Sequence, residues 1–263
     1  MSQPIITLTT DFGQVDGYVA AMKGVILHIC PQAELVDITH EVRPQAVPQA
    51  AYLLSFAAPY FPPGAVHLVV VDPGVGTGRR AIAVQGEQAQ YVAPDNGVLG
   101  LVLAQDPARA AVELVEPRFR LPEVSATFHG RDIFAPAAAH LACGTPIQEM
   151  GPSLRATDLT SLPLSKPVLH ASGKWQAGVL HVDRFGNLVT NFVASSATAS
   201  LTILAGGERI RGLRRTFADV DPGQLLAYAG SGGYVEIAVR EGSAAERLGL
   251  RPGDPVHIVE ERR

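Results

Sequence analysis

The sequence predicts two kinds of domain in one chain: an N-terminal α/β domain with a mainly parallel sheet, and a smaller C-terminal antiparallel β-barrel. In the first part of the chain, short continuously apolar segments alternate with helical ones, as in a parallel sheet covered on both faces. In the second part, short strands are separated by Gly, Asp and Pro turns with little helical period. We place the α/β domain at residues 1–155, a linker at 156–173 and the barrel at 174–263.

Short apolar or β-branched runs predict the strands of the first domain. They are Ile5–Leu8, Glu34–Ile38, Val66–Val71, Ala81–Val84 and Tyr91–Ala93.

Three segments of the first domain have helical character. The first is expected to begin at Asp16 as its N-cap and to end at Pro31, because apolar residues recur between them at spacings of three and four. The other two helices are predicted at residues 46–61 and at Asp132–Ala142.

The second domain begins after a Ser-, Thr-, Leu- and Pro-rich stretch that shows no period, which indicates the linker. Beyond it, strands are predicted within residues 178–192, 201–213, 225–239 and 254–261, each bounded by turn residues.

Composition excludes several classes of protein. The 263 residues are 47% hydrophobic and 17% charged with a net charge of −4, which excludes a disordered chain and gives no electrostatic footprint for nucleic acid. We expect neither a targeting segment nor a membrane span, because the first residues have no basic region and no apolar run reaches the length of a span. Cys30 and Cys143 lie in apolar runs, so we expect two buried, reduced thiols in a cytoplasmic protein.

Acidic residues lie at the ends of three predicted strands, and the one at the second strand, Asp37, is interpreted as an ordinary cap of a turn or helix. Asp11 comes after the first strand and Asp72 closes the third. Ligands bind outside the carboxyl ends of parallel strands, where a carboxylate can accept hydrogen bonds from a sugar diol or hold a cation. The simpler alternative for either residue alone is a cap of a turn or helix.

The loop from Asp72 to Arg80 is rich in glycine, so its backbone can approach a ligand closely. It has neither the Walker A pattern nor Rossmann glycine spacing, and a phosphate cradle is therefore not indicated. An acid and an arginine seven residues apart, Asp72 and Arg79, can instead pair across the loop, either for function or as a structural ion pair.

His129 stands in a loop beside Gly, Arg and Asp, just before a predicted helix. No HExxH motif, paired metal-ligand spacing or G-x-S-x-G elbow occurs, so we expect neither a metal site nor a serine hydrolase. In the second domain, Asp183 and Asn187 flank a turn between two apolar strands, which taken alone is an ordinary turn.

Five segments occur together in a fixed order: TTDFG, VVDPGVGT, APDNG, FHGRDIFAP and VDRFGNLVTN. In this combination the chain closely resembles the S-adenosyl-L-methionine (SAM) hydrolases, also called SAM hydroxide adenosyltransferases. That family shares its fold with the fluorinating and chlorinating enzymes that act on SAM. The resemblance implies an α/β domain, a β-barrel domain and a homotrimer whose sites lie between the N-domain of one subunit and the C-domain of the next.

The resemblance also implies roles for individual residues. Asp72, Arg79 and His129 match a catalytic triad, with the adjacent Arg80 as an alternative to Arg79. Asp11 would hold the ribose hydroxyls. The remaining predicted substrate contacts are Asp16, Asp183 and Ser231 at the methionine end, and Asn187, Phe185 and Phe217 at the adenine.

The expected reaction is attack of water on C5′ of the adenosyl group, giving adenosine and methionine without cofactor or metal. His129 is the expected proton acceptor, with proton loss along a water chain as the alternative. Two other functions stay open at this point: a SAM-dependent halogenase, and a non-catalytic adenosine- or SAM-binding protein.

Overall fold

A computed structural model of the chain describes residues 3–162, 166–194 and 201–260. The chain divides into two units, residues 1–163 and 164–263. The helices and strands of the first unit are β1 (Ile5–Thr10), α1 (Tyr18–Ile29), β2 (Glu34–Thr39), α2 (Val47–Ala57), β3 (Val66–Val70), β4 (Ala81–Gln85), β5 (Gln90–Pro94), β6 (Ala110–Glu113), α3 (Ala135–Ala142) and β7 (Ser153–Leu154).

The sheet of the first unit is mixed, in the order β2-β1-β3-β5-β4-β6-β7. Strands β2, β1, β3 and β5 pair in parallel, whereas β5 with β4, β4 with β6, and β6 with β7 pair antiparallel. The prediction of a mainly parallel sheet is therefore corrected. Strands β4 and β5 are joined by a tight turn, in which the Gly86 N–H donates to the Ala89 carbonyl, and so short a connection permits only antiparallel pairing.

The parallel half of the sheet brings two predicted site residues together. In the register between β1 and β3, Thr10 lies opposite Val70. Asp11 follows Thr10 directly, and Asp72 stands two residues beyond Val70, so both carboxylates leave the same edge of the sheet. The two strands are largely buried, and all five residues of β3 are buried.

Helices α1 and α3 pack against each other. The predicted apolar stripe of α1 consists of Val19, Met22, Ile26 and Ile29, and the first three of these are buried. The predicted N-cap is wrong: Gly17 precedes the helix without a side-chain cap, and Asp16 is exposed in the loop before it. The helix predicted from Asp132 also differs, because Gly130–Phe134 form a π-helical turn that leads into α3.

Cys30 and Cys143 form a disulfide, with their Cα atoms 6.0 Å apart. Each cysteine directly follows a helix, Cys30 after α1 and Cys143 after α3, and the packing of these helices brings the two ends together. The prediction of reduced thiols is therefore wrong. Cys30 is buried as predicted, whereas Cys143 is exposed.

The second unit is an antiparallel sheet that is nearly barrel-shaped. Its elements are β8 (Val168–Leu169), β9 (Lys174–Val182), β10 (Leu188–Val193), β11 (Leu201–Ala205), β12 (Glu208–Arg211), β13 (Leu225–Ala229), β14 (Tyr234–Val239), α4 (Ala244–Leu248) and β15 (Pro255–Glu260). The strand order is β12-β11-β15-β9-β10-β14-β13, with β8 paired to β9. The end strands β12 and β13 contact each other, and inward-facing aliphatic residues such as Leu188, Ile203 and Ile237 fill the interior.

The predicted linker contains some ordered structure. Residues 156–158 form a single 3-10 turn, and the short strand β8 pairs with β9. Residues 163–165 lie outside the described residues, as does Glu261 at the end of the last predicted strand segment. Across the part of the chain that the structure describes, no helix combines the length and apolar character that a membrane span needs.

Candidate active site

Asp72, Arg79 and His129 form one hydrogen-bonded cluster in the first unit. The Arg79 Nε donates to both carboxylate oxygens of Asp72, at 2.9 and 3.0 Å, and its Nη2 also contacts Asp72. The same Nη2 lies 2.8 Å from Nδ1 of His129. The side chains of Arg79 and Asp72 are only 11% and 6% exposed, so this ion pair is largely shielded from solvent.

The loop between β3 and β4 explains how Asp72 and Arg79 meet. Two turns fold it back on itself, with the Val75 N–H donating to the Asp72 carbonyl and the Thr77 N–H to the Gly74 carbonyl. Arg79 therefore returns to the carboxylate that it follows by seven residues, as its spacing predicted. Its guanidinium also stacks over the ring of Phe134 at 5.1 Å, which fixes its orientation from the other side.

The neighbouring Arg80 contacts a different carboxylate. Its guanidinium donates to Asp95 from Nε at 2.9 Å and from Nη2 at 2.5 Å, and Nη2 also reaches the Asp158 carbonyl. The geometry therefore distinguishes the two arginines, and Arg79 is the one that contacts both Asp72 and His129.

The hydrogen bond from Arg79 determines the tautomer of His129. A guanidinium can only donate, so Nδ1 of His129 is the acceptor, and the proton of the neutral ring is on Nε2. Burial and, after it, the positive charge of Arg79 lower the pKa of His129. The negative charges of Asp72 and Asp132 raise it, but by less, so the pKa lies below its usual value. The ring is therefore neutral at pH 7 and presents an N–H donor at Nε2.

A cavity of about 290 Å³ lies beside this cluster and beside Asp11, the residue predicted to hold the ribose hydroxyls. Asp11, Asp72 and His129 line it together with the aromatic rings of Phe12 and Phe128. Two carboxylates, one neutral imidazole and an apolar wall suit a ligand with hydroxyl groups and a positive charge.

Aromatic rings form one side of this cavity. Phe12 and Phe128 make an edge-to-face contact at 6.0 Å, and Tyr18 packs against both. Gly130 lies beneath them, where a Cβ atom would be 3.2 Å from the Met22 sulfur and 3.4 Å from the Phe12 and Phe128 rings. A larger residue at position 130 would thus press on the aromatic wall.

The Asp11 carboxylate is held by a residue that sequence analysis missed. Its Oδ2 accepts a hydrogen bond from the backbone N–H of Gln45 at 2.7 Å. Gln45 also lines the cavity, and its backbone has a φ of +66°, a conformation that side chains other than Gly, Asn and Asp rarely adopt. The hydrogen bond from Gln45 thus holds Oδ2 in place, and Oδ1 stays available to a ligand.

A second cavity, of about 540 Å³, lies in the second unit. Phe185, Asn187 and Phe217, the three predicted adenine contacts, line it together with Val239, Glu241, Gly242 and Ser243. Phe185 is 77% exposed although it is a large apolar residue, and Asn187 is buried. Two aromatic rings and a fixed amide are suited to a flat heterocycle with hydrogen-bonding edges.

Asp183 organises the turn that carries two of these residues. Its Oδ1 accepts from the backbone N–H groups of Phe185 and Asn187, and its Oδ2 accepts from the Asn187 amide at 2.8 Å. Gly186 lies in this turn at a φ of +83°. A Cβ atom there would be 2.1 Å from the Ser243 hydroxyl oxygen, so the position requires glycine. The turn therefore fixes the Asn187 side chain for the cavity.

None of the three predicted methionine contacts, Asp16, Asp183 and Ser231, lines either cavity. Asp16 is exposed before α1, and Ser231 is exposed in the turn between β13 and β14. Glu241 was missed by sequence analysis. With Gln45 it is one of the two non-glycine residues of positive φ in the described ranges, and each of the two lines one cavity. No residue pattern signals such a backbone, since neither residue is of a type that favours it.

Comparison with known proteins assigns the chain to a family. Residues 6–151 match the SAM hydroxide adenosyltransferase N-terminal domain, and residues 177–257 match the C-terminal domain of the same family. An (R)-S-adenosyl-L-methionine hydrolase from Thermus thermophilus is 45% identical over 98% of this chain and 100% of that protein. Another from Salinispora tropica is 46% identical over 97% of this chain and 98% of that protein.

More distant similarity extends to a fluorinase of Actinoplanes sp., which is 28% identical over 97% of each chain. Among solved structures, an uncharacterised conserved protein from Thermotoga maritima superposes with a TM-score of 0.86, at 38% identity over 97% of this chain and 99% of that one. Family models cover both units, and the relatives align over nearly the full length. The chain therefore belongs to the SAM hydroxide adenosyltransferase family.

Proposed function

We propose that this protein hydrolyses S-adenosyl-L-methionine to adenosine and L-methionine. The observation that carries the proposal is the Asp72–Arg79–His129 cluster, of which Asp72 and His129 line the same cavity as Asp11. The names of the similar hydrolases specify the (R) configuration, and we extend that preference to this chain.

The reaction needs little acid catalysis. In the substrate, the sulfonium makes C5′ electrophilic. As the water oxygen bonds to C5′, the C5′–sulfur bond breaks, and its electron pair stays on sulfur, so methionine leaves as a neutral thioether. The protein must hold one water in line with the departing sulfur and receive one of its protons.

We assign Asp72 as the first acceptor of that proton and His129 as the donor that orients the water. Nδ1 of His129 is already engaged by Arg79, and the remaining ring nitrogen carries a proton, so the neutral ring has no free lone pair for a base. Asp72 keeps acceptor capacity beside the guanidinium, which stabilises hydroxide character nearby. This assignment replaces His129 as the expected proton acceptor.

The substrate's two ends are assigned to the two cavities. Asp11 would accept hydrogen bonds from the ribose diol, and the cavity of Phe185, Asn187 and Phe217 would take the adenine. A carboxylate offers about four acceptor positions, of which Asp183 uses three, so it can still accept from the methionine ammonium. Asp16 and Ser231 stay predictions from the resemblance.

Because each cavity lies in a different unit, the proposal includes the homotrimer that the family resemblance implies. In it, the first unit of one subunit and the second unit of the next would share one substrate molecule. The cytoplasmic location likewise stays a prediction.

The halogenase alternative is disfavoured by charge. A halide at the position of the attacking water would face the Asp72 carboxylate, and two anions in a shielded site repel each other. A non-catalytic binding protein would not need the buried arginine to join Asp72 and His129.

A direct assay distinguishes the three functions. Purified protein is incubated with SAM in halide-free buffer, and adenosine and methionine are measured by chromatography. We expect equal amounts of both products, and their loss in Asp72→Asn, which controls for contaminating enzymes. Intact SAM that binds without turnover would indicate a binding protein, and product that forms only with added halide would indicate a halogenase.

A further inference from the structure

A buried carboxylate outside the proposed machinery lies next to His129. Asp132 is fully inaccessible to solvent, yet it is charged: burial raises its pKa, but hydrogen bonds from Arg131 and then Ser125 outweigh burial and hold the pKa below its usual value. Its Oδ2 accepts from the Ser125 backbone N–H at 2.8 Å, and Arg131 donates to both oxygens, at 2.6 and 3.2 Å. A buried charge of this kind is stable only when its partners are fixed.

Those partners enclose the segment that carries His129. The Ser125 hydroxyl accepts from the Phe128 N–H at 3.0 Å, and the Phe128 carbonyl accepts from the N–H groups of Arg131 and Asp132. Asp132 is therefore connected to Phe128 in two ways, through Ser125 and through its own backbone. His129 therefore lies directly between residues that a closed set of hydrogen bonds holds in place.

The same ion pair also holds the ring of Phe128. The Arg131 guanidinium, paired with Asp132, stacks over Phe128 at 5.0 Å, and Phe128 lines the cavity beside His129. The π-helical turn Gly130–Phe134 begins directly after His129, and such turns often occur at functional sites.

We infer that Asp132, acting through Ser125, is a positioning residue for His129. Its carboxylate fixes the 125–129 segment so that Nδ1 of His129 meets Arg79 and Nε2 presents its proton to the cavity. The inference rests on the proposed function for its catalytic consequence, but its structural content, the fixed tautomer of His129, is measurable without substrate.

The test uses two variants, a rescue and a matched control, each in the full-length protein. Asp132→Asn keeps the volume but removes the charge, and Ser125→Ala removes the acceptor for the Phe128 N–H. Ser125→Thr retains a hydroxyl and serves as the rescue. The control is Asp106→Asn, because Asp106 is another buried carboxylate that accepts three backbone N–H groups and the Tyr91 hydroxyl and does not line the His129 cavity.

The first readout is the ¹⁵N chemical shifts of the His129 ring, recorded without ligand well below each variant's unfolding temperature. We expect a single Nε2–H tautomer in the wild type, in Ser125→Thr and in Asp106→Asn. In Asp132→Asn and Ser125→Ala we expect averaging between tautomers. An unchanged Nε2–H tautomer in both of these variants would overturn the inference.

The second readout is steady-state hydrolysis of SAM. A displacement of about 1 Å can cost on the order of 10²-fold in rate, so we expect kcat to fall by about 10- to 100-fold in Asp132→Asn and Ser125→Ala with a small change in KM. Losses no larger than that of Asp106→Asn would contradict a positioning role. If the wild type does not hydrolyse SAM, the proposed function is wrong, and the tautomer measurement still decides the positioning of His129.

Discussion

Nη2 of Arg79 lies 2.8 Å from Nδ1 of His129, and this contact makes the imidazole an acceptor toward the arginine and a donor toward the cavity. The histidine then cannot be the first base without breaking that hydrogen bond. The arrangement differs from a catalytic His–carboxylate pair, in which the carboxylate holds Nδ1–H and leaves Nε2 free to accept a proton.

A donor role for His129 predicts a difference between two substitutions. His129→Ala removes both the acceptor for Arg79 and the N–H donor for the water. It should lower kcat by about 10²- to 10⁴-fold, the usual contribution of a group that positions or transfers a proton. His129→Gln supplies an N–H donor without basicity and should retain at least about tenfold more activity than the alanine variant. Steady-state kinetics at pH 7.5 measure both, and equal losses would instead identify His129 as a base.

The ribose-binding role that we propose for Asp11 predicts a loss of affinity that depends on the ligand. Asp11→Asn keeps the size of the side chain but weakens its charge-assisted hydrogen bonds, each worth roughly 1.5–3 kcal/mol. Adenosine should therefore bind about 10- to 100-fold more weakly by calorimetry. The affinity for 2′,3′-dideoxyadenosine, which lacks the diol, should not change. A similar loss for both ligands would show that Asp11 acts on the fold rather than on the ribose.

His67 predicts a pH dependence of stability that is separate from activity. Burial, opposed in part by Asp106, lowers the pKa of His67 from 6.5 to about 4. The unfolded chain thus binds a proton that the folded chain excludes, so stability is fully present above about pH 6.5 and declines as the pH falls toward 4. The loss is about 3 kcal/mol at roughly 1.4 kcal/mol per pKa unit.

The check is urea unfolding between pH 4 and 7. As the pH is lowered from 7 to 4, the unfolding free energy of the wild type should fall, and that of His67→Gln should fall less steeply. His28→Gln is the control, because His28 is exposed. The same slope in all three proteins would exclude His67 as the cause.

The shared-site proposal predicts complementation between two defective chains. Asp11→Asn impairs the first unit, and Asn187→Ala impairs the second. In refolded mixtures at equal ratio, roughly a quarter of the interfaces would join two intact halves, so activity should recover to about that fraction of the wild type. Each variant refolded alone is the control. Mixed oligomers, verified by mass spectrometry, that stay inactive would place the whole site within one chain.

Sequence predicted the fold class of each half, because the apolar runs that form β1, β2 and β3 and the strands after residue 174 have clear periods and breakers. It did not predict the mixed character of the first sheet, because strand order and direction depend on connections between distant elements, and β4 and β5 are individually indistinguishable from parallel strands. The disulfide was missed for the same reason: Cys30 and Cys143 are 113 residues apart and meet only when α1 packs on α3.

For the site, sequence spacing suggested that Asp72 pairs with an arginine of the loop. Arg79 and Arg80 differ by only one position in their distance from Asp72 along the chain, so only the structure shows that Arg79 is the partner. The roles of Gln45 and Asp132 could not be read from sequence. The first acts through a backbone N–H in an unusual conformation, and the second through a hydrogen-bonded turn, and neither leaves a side-chain pattern.

The central claim is that water attacks C5′ directly, and an isotope experiment tests it. SAM is hydrolysed in ¹⁸O-water without halide, and the adenosine is analysed by mass spectrometry, with a parallel sample that contains chloride. We predict one ¹⁸O atom at the 5′-hydroxyl of adenosine in both samples. Unlabelled adenosine would contradict direct attack by water, and 5′-chloro-5′-deoxyadenosine as the main product would contradict the assignment as a hydrolase.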